Sequence, residues 1–184
     1  AEIYQPSSGT WRNVPALAEA RFGYAGASLP DGRVLVAGGC TTPRCTAMTG
    51  RIELFDPATE TWDAGVALSA PNAWATATPL PGGDVLVAGG CTPTGCLATS
   101  AVYQSATGTW RAGPAMRAQR GLHSATTLAD GRVLVAGGCT TLSCEAVLSS
   151  TEVYDPQADS WSPAGELSSP RSGHTATRLD SGDV

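Results

Sequence analysis

Residues 120–138 read RGLHSATTLADGRVLVAGG. The stretch 122–128 is short and rich in β-branched residues, and Asp130-Gly131 follows it. Asp-Gly between two apolar runs marks a tight hairpin, because Gly accepts the positive φ such turns need. Val133-Leu134-Val135-Ala136 is an unbroken apolar run, the pattern of a strand covered on both faces. Gly137-Gly138 ends it. Further along, residues 151–154 (TEVY) alternate, residues 155–159 (DPQAD) carry turn chemistry, and Ser160-Trp161 opens another strand. The reading is four short antiparallel strands forming one twisted sheet, with no amphipathic helical stretch in the chain.

The same pattern recurs. Trp11, Trp62, Trp110 and Trp161 are 51, 48 and 51 residues apart, and Tyr4, Phe55, Tyr103 and Tyr154 keep those intervals. The Gly pairs 38–39, 89–90 and 137–138 follow 51 and then 48. Periods near 50 mean stacked units, each too small to bury its own apolar face. The aromatic tracks read as core, contributing about 150–250 Å² each between sheets. The Gly pairs read as places where a ring or a neighbouring unit comes close to the backbone. The unit boundaries fall at about 1–14, 15–66, 67–114, 115–165 and 166–184.

The run R-x-x-H-S-A-T-x-L-x-D-G-R-V-L-V-A-G-G, then V-Y-D-P, then W, resembles the Kelch repeat, and all of the chain takes part. The resemblance implies an all-β fold, a Kelch-type β-propeller whose repeats are four-stranded antiparallel blades around a central channel. Here three full blades are expected with a half-blade on either side. Val184 stands where Val34, Val85 and Val133 stand, and Ala1 aligns with Thr151. Two readings are open: a piece of a longer propeller, or self-association in which the incomplete blades of two chains complete each other.

Composition narrows the function. All 11 basic residues among the 184 are Arg, and the formal charge is −5, which argues against nucleic acid held through its phosphates. No run of about 18 apolar residues occurs, so no membrane insertion is expected. Ala1-Glu2-Ile3-Tyr4 already belongs to the repeat, so no leader is read here.

Six cysteines repeat one spacing: Cys40 and Cys45, Cys91 and Cys96, Cys139 and Cys144, each pair directly after Gly-Gly. Pairing within each loop lets every blade do the same thing alone, and a loop this short brings two Cα atoms within disulfide range. Zinc or free thiols are the competing readings; zinc usually takes tighter C-x2-C pairs gathered into one site. Disulfides place the chain in an oxidising compartment: secreted, periplasmic or cell-surface.

In an antiparallel meander the second-to-third loop lies at the same end as the start of the first strand. The Cys loops therefore share a face with Arg21, Asn72, Arg120 and Arg171, and with Tyr24, His123 and His174 three residues on. In partner-binding Kelch proteins an Arg at this place lines the channel mouth, so the resemblance marks Arg21, Arg120 and Arg171 as ligand-binding. Copy two departs, with Asn72 and Ala75, and places Trp74 where other copies have Gly23, Leu122 and Gly173. Trp74 either stacks on a ligand or fills a local gap. His123 and His174 read either as a metal pair or as structural imidazoles near the channel. The loop from the second Cys to the aromatic track spans 10 residues in copies one and three but 7 in copy two.

No G-x-S-x-G, H-E-x-x-H or P-loop is present, and the cysteines and histidines sit on repeat positions rather than in a copper-oxidase arrangement. The expectation is a secreted, non-catalytic propeller with no cofactor and no metal, binding a protein or glycan through the face that bears the disulfide-stapled loops and the first-strand Arg residues. The alternative is the supporting propeller of a larger secreted carbohydrate-active enzyme or oxidase, with its catalytic residues outside this chain.

Overall fold

The computed structural model describes residues 1–184 and is all-β apart from one 3-10 turn at Pro43–Cys45. Strands β1 (Glu2–Gln5) and β2 (Thr10–Asn13) form a two-stranded sheet. The first full blade is β3 (Ala25–Ser28), β4 (Val34–Ala37), β5 (Ile52–Asp56) and β6 (Thr61–Ala64). The second is β7 (Ala73–Pro79), β8 (Val85–Thr92), β10 (Ser100–Gln104) and β11 (Thr109–Ala112), with a short β9 (Gly95–Cys96) folded back on β8. The third is β12 (Ser124–Thr127), β13 (Val133–Ala136), β14 (Thr151–Asp155) and β15 (Ser160–Pro163). Each blade is an antiparallel meander in sequence order. The sheets do not close into a ring.

Turn chemistry joins the strands as the residues demand. Gly32 and Gly131 adopt φ of +87° between the first and second strands of their blades. Asp31 and Asp130 accept the N–H of Arg33 and Arg132 two residues on. Residues 166–184 carry no strand, although a first strand is expected there. In the complete blades that strand pairs with the V-L-V-A run, and of that run this copy has Val184 alone.

The core lies between blades. Pleating sends alternate residues of each second strand to opposite faces. Val85 and Val87 pack with Leu35, Ala37, Ile52 and Leu54 of the first blade. Leu86 and Ala88, on the other face, pack with Val133, Val135 and Tyr154 of the third. Both faces of β8 are buried for this reason, at about 1.5–3 kcal/mol for each large aliphatic side chain removed from water. Tyr4, Phe55, Tyr103 and Tyr154 sit opposite Trp11, Trp62, Trp110 and Trp161 in the strand registers, with ring centroids 5.1–5.2 Å apart. The indole N–H of Trp62, Trp110 and Trp161 donates to the carbonyl of Pro15, Val66 and Pro114, tying each outer strand to the segment that leads into its blade. Tyr4 and Trp11, with no full blade around them, are exposed.

The Gly pairs touch the next blade's backbone, and Gly89 and Gly137 also lie close to the imidazole rings of His123 and His174. Gly39, Gly90 and Gly138 donate to the carbonyls of Asn72, Arg120 and Arg171 at 2.8–2.9 Å. A Cβ on Gly38, Gly89 or Gly137 would run into those same carbonyls.

Candidate functional site

The first cysteine of each loop bridges to a residue at or just before the start of the first strand of its own blade: Cys40 to Phe22, Cys91 to Ala73, Cys139 to Gly121. The Cys loops and the first-strand starts therefore occupy one face. All three disulfides are local, Cys40–Cys45, Cys91–Cys96 and Cys139–Cys144, with Cα separations of 4.9, 3.7 and 5.0 Å. No cysteine is free.

Each disulfide also bears on the following blade. Cys40 and Cys45 pack with Ala73 and Trp74, the sulfurs of Cys91 and Cys96 lie against Gly121, and Ser172 Oγ is 3.6 Å from Cys144 Sγ. Residues 73, 121 and 172 are equivalent positions. The staple is thus a wedge between blades, and five of the six cysteines are buried. Three disulfides are compatible with an extracellular protein. No helix is long and apolar enough to cross a membrane.

Beside the wedges runs a belt of backbone hydrogen bonds. Trp74 N–H donates to Gly23 O at 2.7 Å, Leu122 N–H to Trp74 O at 3.1 Å, and Gly173 N–H to Leu122 O at 2.8 Å. All four residues are left-handed, with φ between +55° and +63°. In that conformation the amides of Trp74, Leu122 and Gly173 meet the preceding blade. At Trp74 and Leu122 it carries backbone strain of about 1–3 kcal/mol. Trp74 lies on Gly23, and its ring meets Phe22 edge-on at 6.3 Å between centroids. Its half-buried indole fills the gap between two blades.

The first-strand arginines require a correction. Arg21 and Arg120 have no side-chain exposure and do not line an open channel mouth. Arg21 pairs with Glu53, and its Nη1 donates to the carbonyls of Gly38 (3.3 Å) and Arg51 (2.9 Å). Arg120 repeats this with Glu152 at 2.8 Å and with the carbonyls of Gly137 (2.7 Å) and Ser150 (3.1 Å). The carboxylates are held in turn by backbone amides: Ala18 to Glu53 at 2.7 Å, Arg117 and Ala118 to Glu152 at 2.7 and 3.1 Å. A carboxylate two residues before the aromatic track turns each guanidinium into its own sheet. Copy two has Ala101 at that place, in the copy where Asn72 replaces Arg. This shared departure was visible in the sequence and marks the two positions as partners, since either charge buried alone is heavily penalised.

Asn72 and His123 are also buried. His123 Nε2 meets Thr76 Oγ1 at 3.0 Å, and His174 Nε2 meets Ser124 Oγ at 3.0 Å, so each imidazole bridges to the blade before it. Burial, helped by the Arg120 guanidinium and by His174, holds the pKa of His123 down to about 3. That of His174 is lowered by burial and then by Arg171. The Nε2 atoms of the two histidines face hydroxyls on separate blades. Of the predicted residues, Tyr24 and Arg171 remain exposed, while Trp74 and His174 are partly covered. Arg171 hydrogen-bonds the carbonyl and hydroxyl of Ser169.

The sequence points to the stapled loops as a recognition surface but does not single out the residues at their tips. Arg44, Pro93, Thr94, Gly95, Thr141, Leu142 and Ser143 surround one cleft of about 430 Å³. All three stapled loops contribute. Arg44 is left-handed at φ 65°, exposed, and without an ion pair. Around it stand hydroxyls from Thr94, Thr141 and Ser143.

Antiparallel four-stranded repeat sheets, packed face to face and tied through a glycine-backed belt, define the blades of a β-propeller. Residues 120–168 match the Kelch motif, and the other copies keep the same register. A stretch of 53 residues, 29% of the chain, is 47% identical to an F-box/kelch-repeat protein of Arabidopsis thaliana. That stretch spans 13% of the relative's own length. Kelch repeats in general mediate protein–protein interaction.

Proposed function

We propose that this chain is a non-catalytic, exported propeller segment that recognises a protein partner through the rim of its three stapled loops. The observation that carries this reading is the convergence of those loops on one cleft with a single uncommitted cation. Arg21 and Arg120 are bound up in the blades, which leaves Arg44 to face outward beside hydroxyl groups. Disulfide-held loops lose little freedom on association, and exposed loops on a rigid scaffold are where recognition residues collect. Buried sulfurs resist reduction, which suits an oxidising compartment.

Peptide and glycan arrays probed with the oxidised chain test the reading, with Arg44→Ala as the diagnostic variant. Selective binding of acidic peptides, weakened about tenfold or more by Arg44→Ala at unchanged stability, is expected. Binding to glycans alone would move the partner class. Reproducible hydrolysis or oxidation by the polypeptide itself would overturn the non-catalytic reading in favour of an enzyme-associated propeller.

A further inference from the structure

The second blade lacks the ion pair of its neighbours but keeps the groups that hold it. In the first and third blades the guanidinium sits on two carbonyls (Gly38 and Arg51; Gly137 and Ser150), and the carboxylate sits on the amide three residues before the Arg, joined in the third blade by the amide two before it. The equivalent groups in the second blade are the carbonyls of Gly89 and Thr99 and the amides of Ser69 and Ala70. With Asn72 and Ala101, these residues line a pocket of about 150 Å³. The amides of Ser69 and Ala70 donate to no group in the chain. Asn72, 8% exposed, lines the same pocket, and its amide makes no hydrogen bond within the protein. Acceptors for a guanidinium thus stand beside donors for a carboxylate, with the side chains that would use them shortened to Asn and Ala.

We propose that this pocket binds a small guanidino acid, a ligand carrying a guanidinium and a carboxylate in one short molecule. The pocket has no charge of its own, so a guanidinium alone would leave the amides unused and a carboxylate alone would leave the carbonyls unused. A ligand bringing both reproduces the neutral pair of the flanking blades. Its guanidinium lies on the Gly89 and Thr99 carbonyls, and its carboxylate on the Ser69 and Ala70 amides. The site is separate from the loop rim, and its occupancy does not depend on the partner reading.

Titration of the oxidised, isotope-labelled chain with guanidinoacetate, followed by amide chemical shifts, tests this. Saturable shifts at Ser69, Ala70 and Gly89 are expected, with a midpoint at or below about 1 mM, ordinary for a ligand of so few atoms. Methylguanidine and acetate, each carrying half of the chemistry, should bind at least about tenfold more weakly. Asn72→Arg with Ala101→Glu fills the pocket with an internal pair, and Ala101→Val occupies it with apolar bulk. Either variant should lose the response while keeping the dispersed spectrum of the folded chain. No saturable shift through about 10 mM, tenfold above the expected midpoint, overturns the proposal. Equal binding of all three compounds, or persistence of the shifts in a folded filled variant, overturns it as well.

Discussion

Glu152→Ala should destabilise the chain more than the double change Arg120→Asn with Glu152→Ala, although the double change removes more atoms. Glu152 is buried, accepts the N–H groups of Arg117 and Ala118, and lies 2.8 Å from a guanidinium with no exposure. Removing the carboxylate alone strands a buried cation and two amides. Breaking a buried pair in this way costs about 3–5 kcal/mol, and the orphaned donors push it toward the upper end. The double change instead rebuilds what the second blade already has, Asn72 and Ala101, and leaves no charge behind. Its cost should fall to about 1–2 kcal/mol, about 2–3 kcal/mol less than the single change. Equilibrium urea unfolding followed by tryptophan fluorescence reads these values at constant m. In thermal scans the single change should lower Tm by about 6–20 °C, from 2–4 °C per kcal/mol for a chain of this size. A single-variant loss below about 1 kcal/mol, or a double-variant loss equal to the sum of both singles, would show that the pair is not a buried unit.

Three further outcomes follow from other parts of the structure. Gly89→Ala should destabilise by more than about 2 kcal/mol, because φ there is +64° and the added Cβ meets the Arg120 carbonyl and the His123 ring; a smaller change in urea unfolding would mean the blades are not in register. Non-reducing digestion with mass spectrometry should return three local cysteine pairs. Cys91→Ser with Cys96→Ser should lower stability by about 2–3 kcal/mol, and any cross-loop peptide would contradict the wedge arrangement. His123 titrates near 3 when folded and near 6.5 when unfolded, so the unfolded chain binds the extra proton between those values. Its contribution is therefore fully present above pH 6.5 and fades as pH falls toward 3, at about 1.4 kcal/mol per pH unit. His123→Gln should flatten that slope in a pH series of urea melts, and a folded-state NMR titration midpoint above 6 would refute the assignment.

The period, the strand order, the hairpins and the pairing of Cys40 with Cys45, Cys91 with Cys96 and Cys139 with Cys144 were legible in the residues alone. Each depends on short-range physics: alternation on a pleat, positive φ at Gly in a turn, the reach of a loop too short to pair elsewhere. Tertiary structure decided what Arg21 and Arg120 do. An Arg at a strand start looks the same whether it meets solvent or a carboxylate, and Glu53 and Glu152 stand 32 residues further on in the chain. Packing also decided that the disulfides press on the next blade, that the left-handed residues Gly23, Trp74, Leu122 and Gly173 form a belt, and that Arg44 faces the shared cleft. These are contacts between units. Repetition in sequence announces that the units stack, but which side chains are covered depends on how one sheet lies against its neighbour.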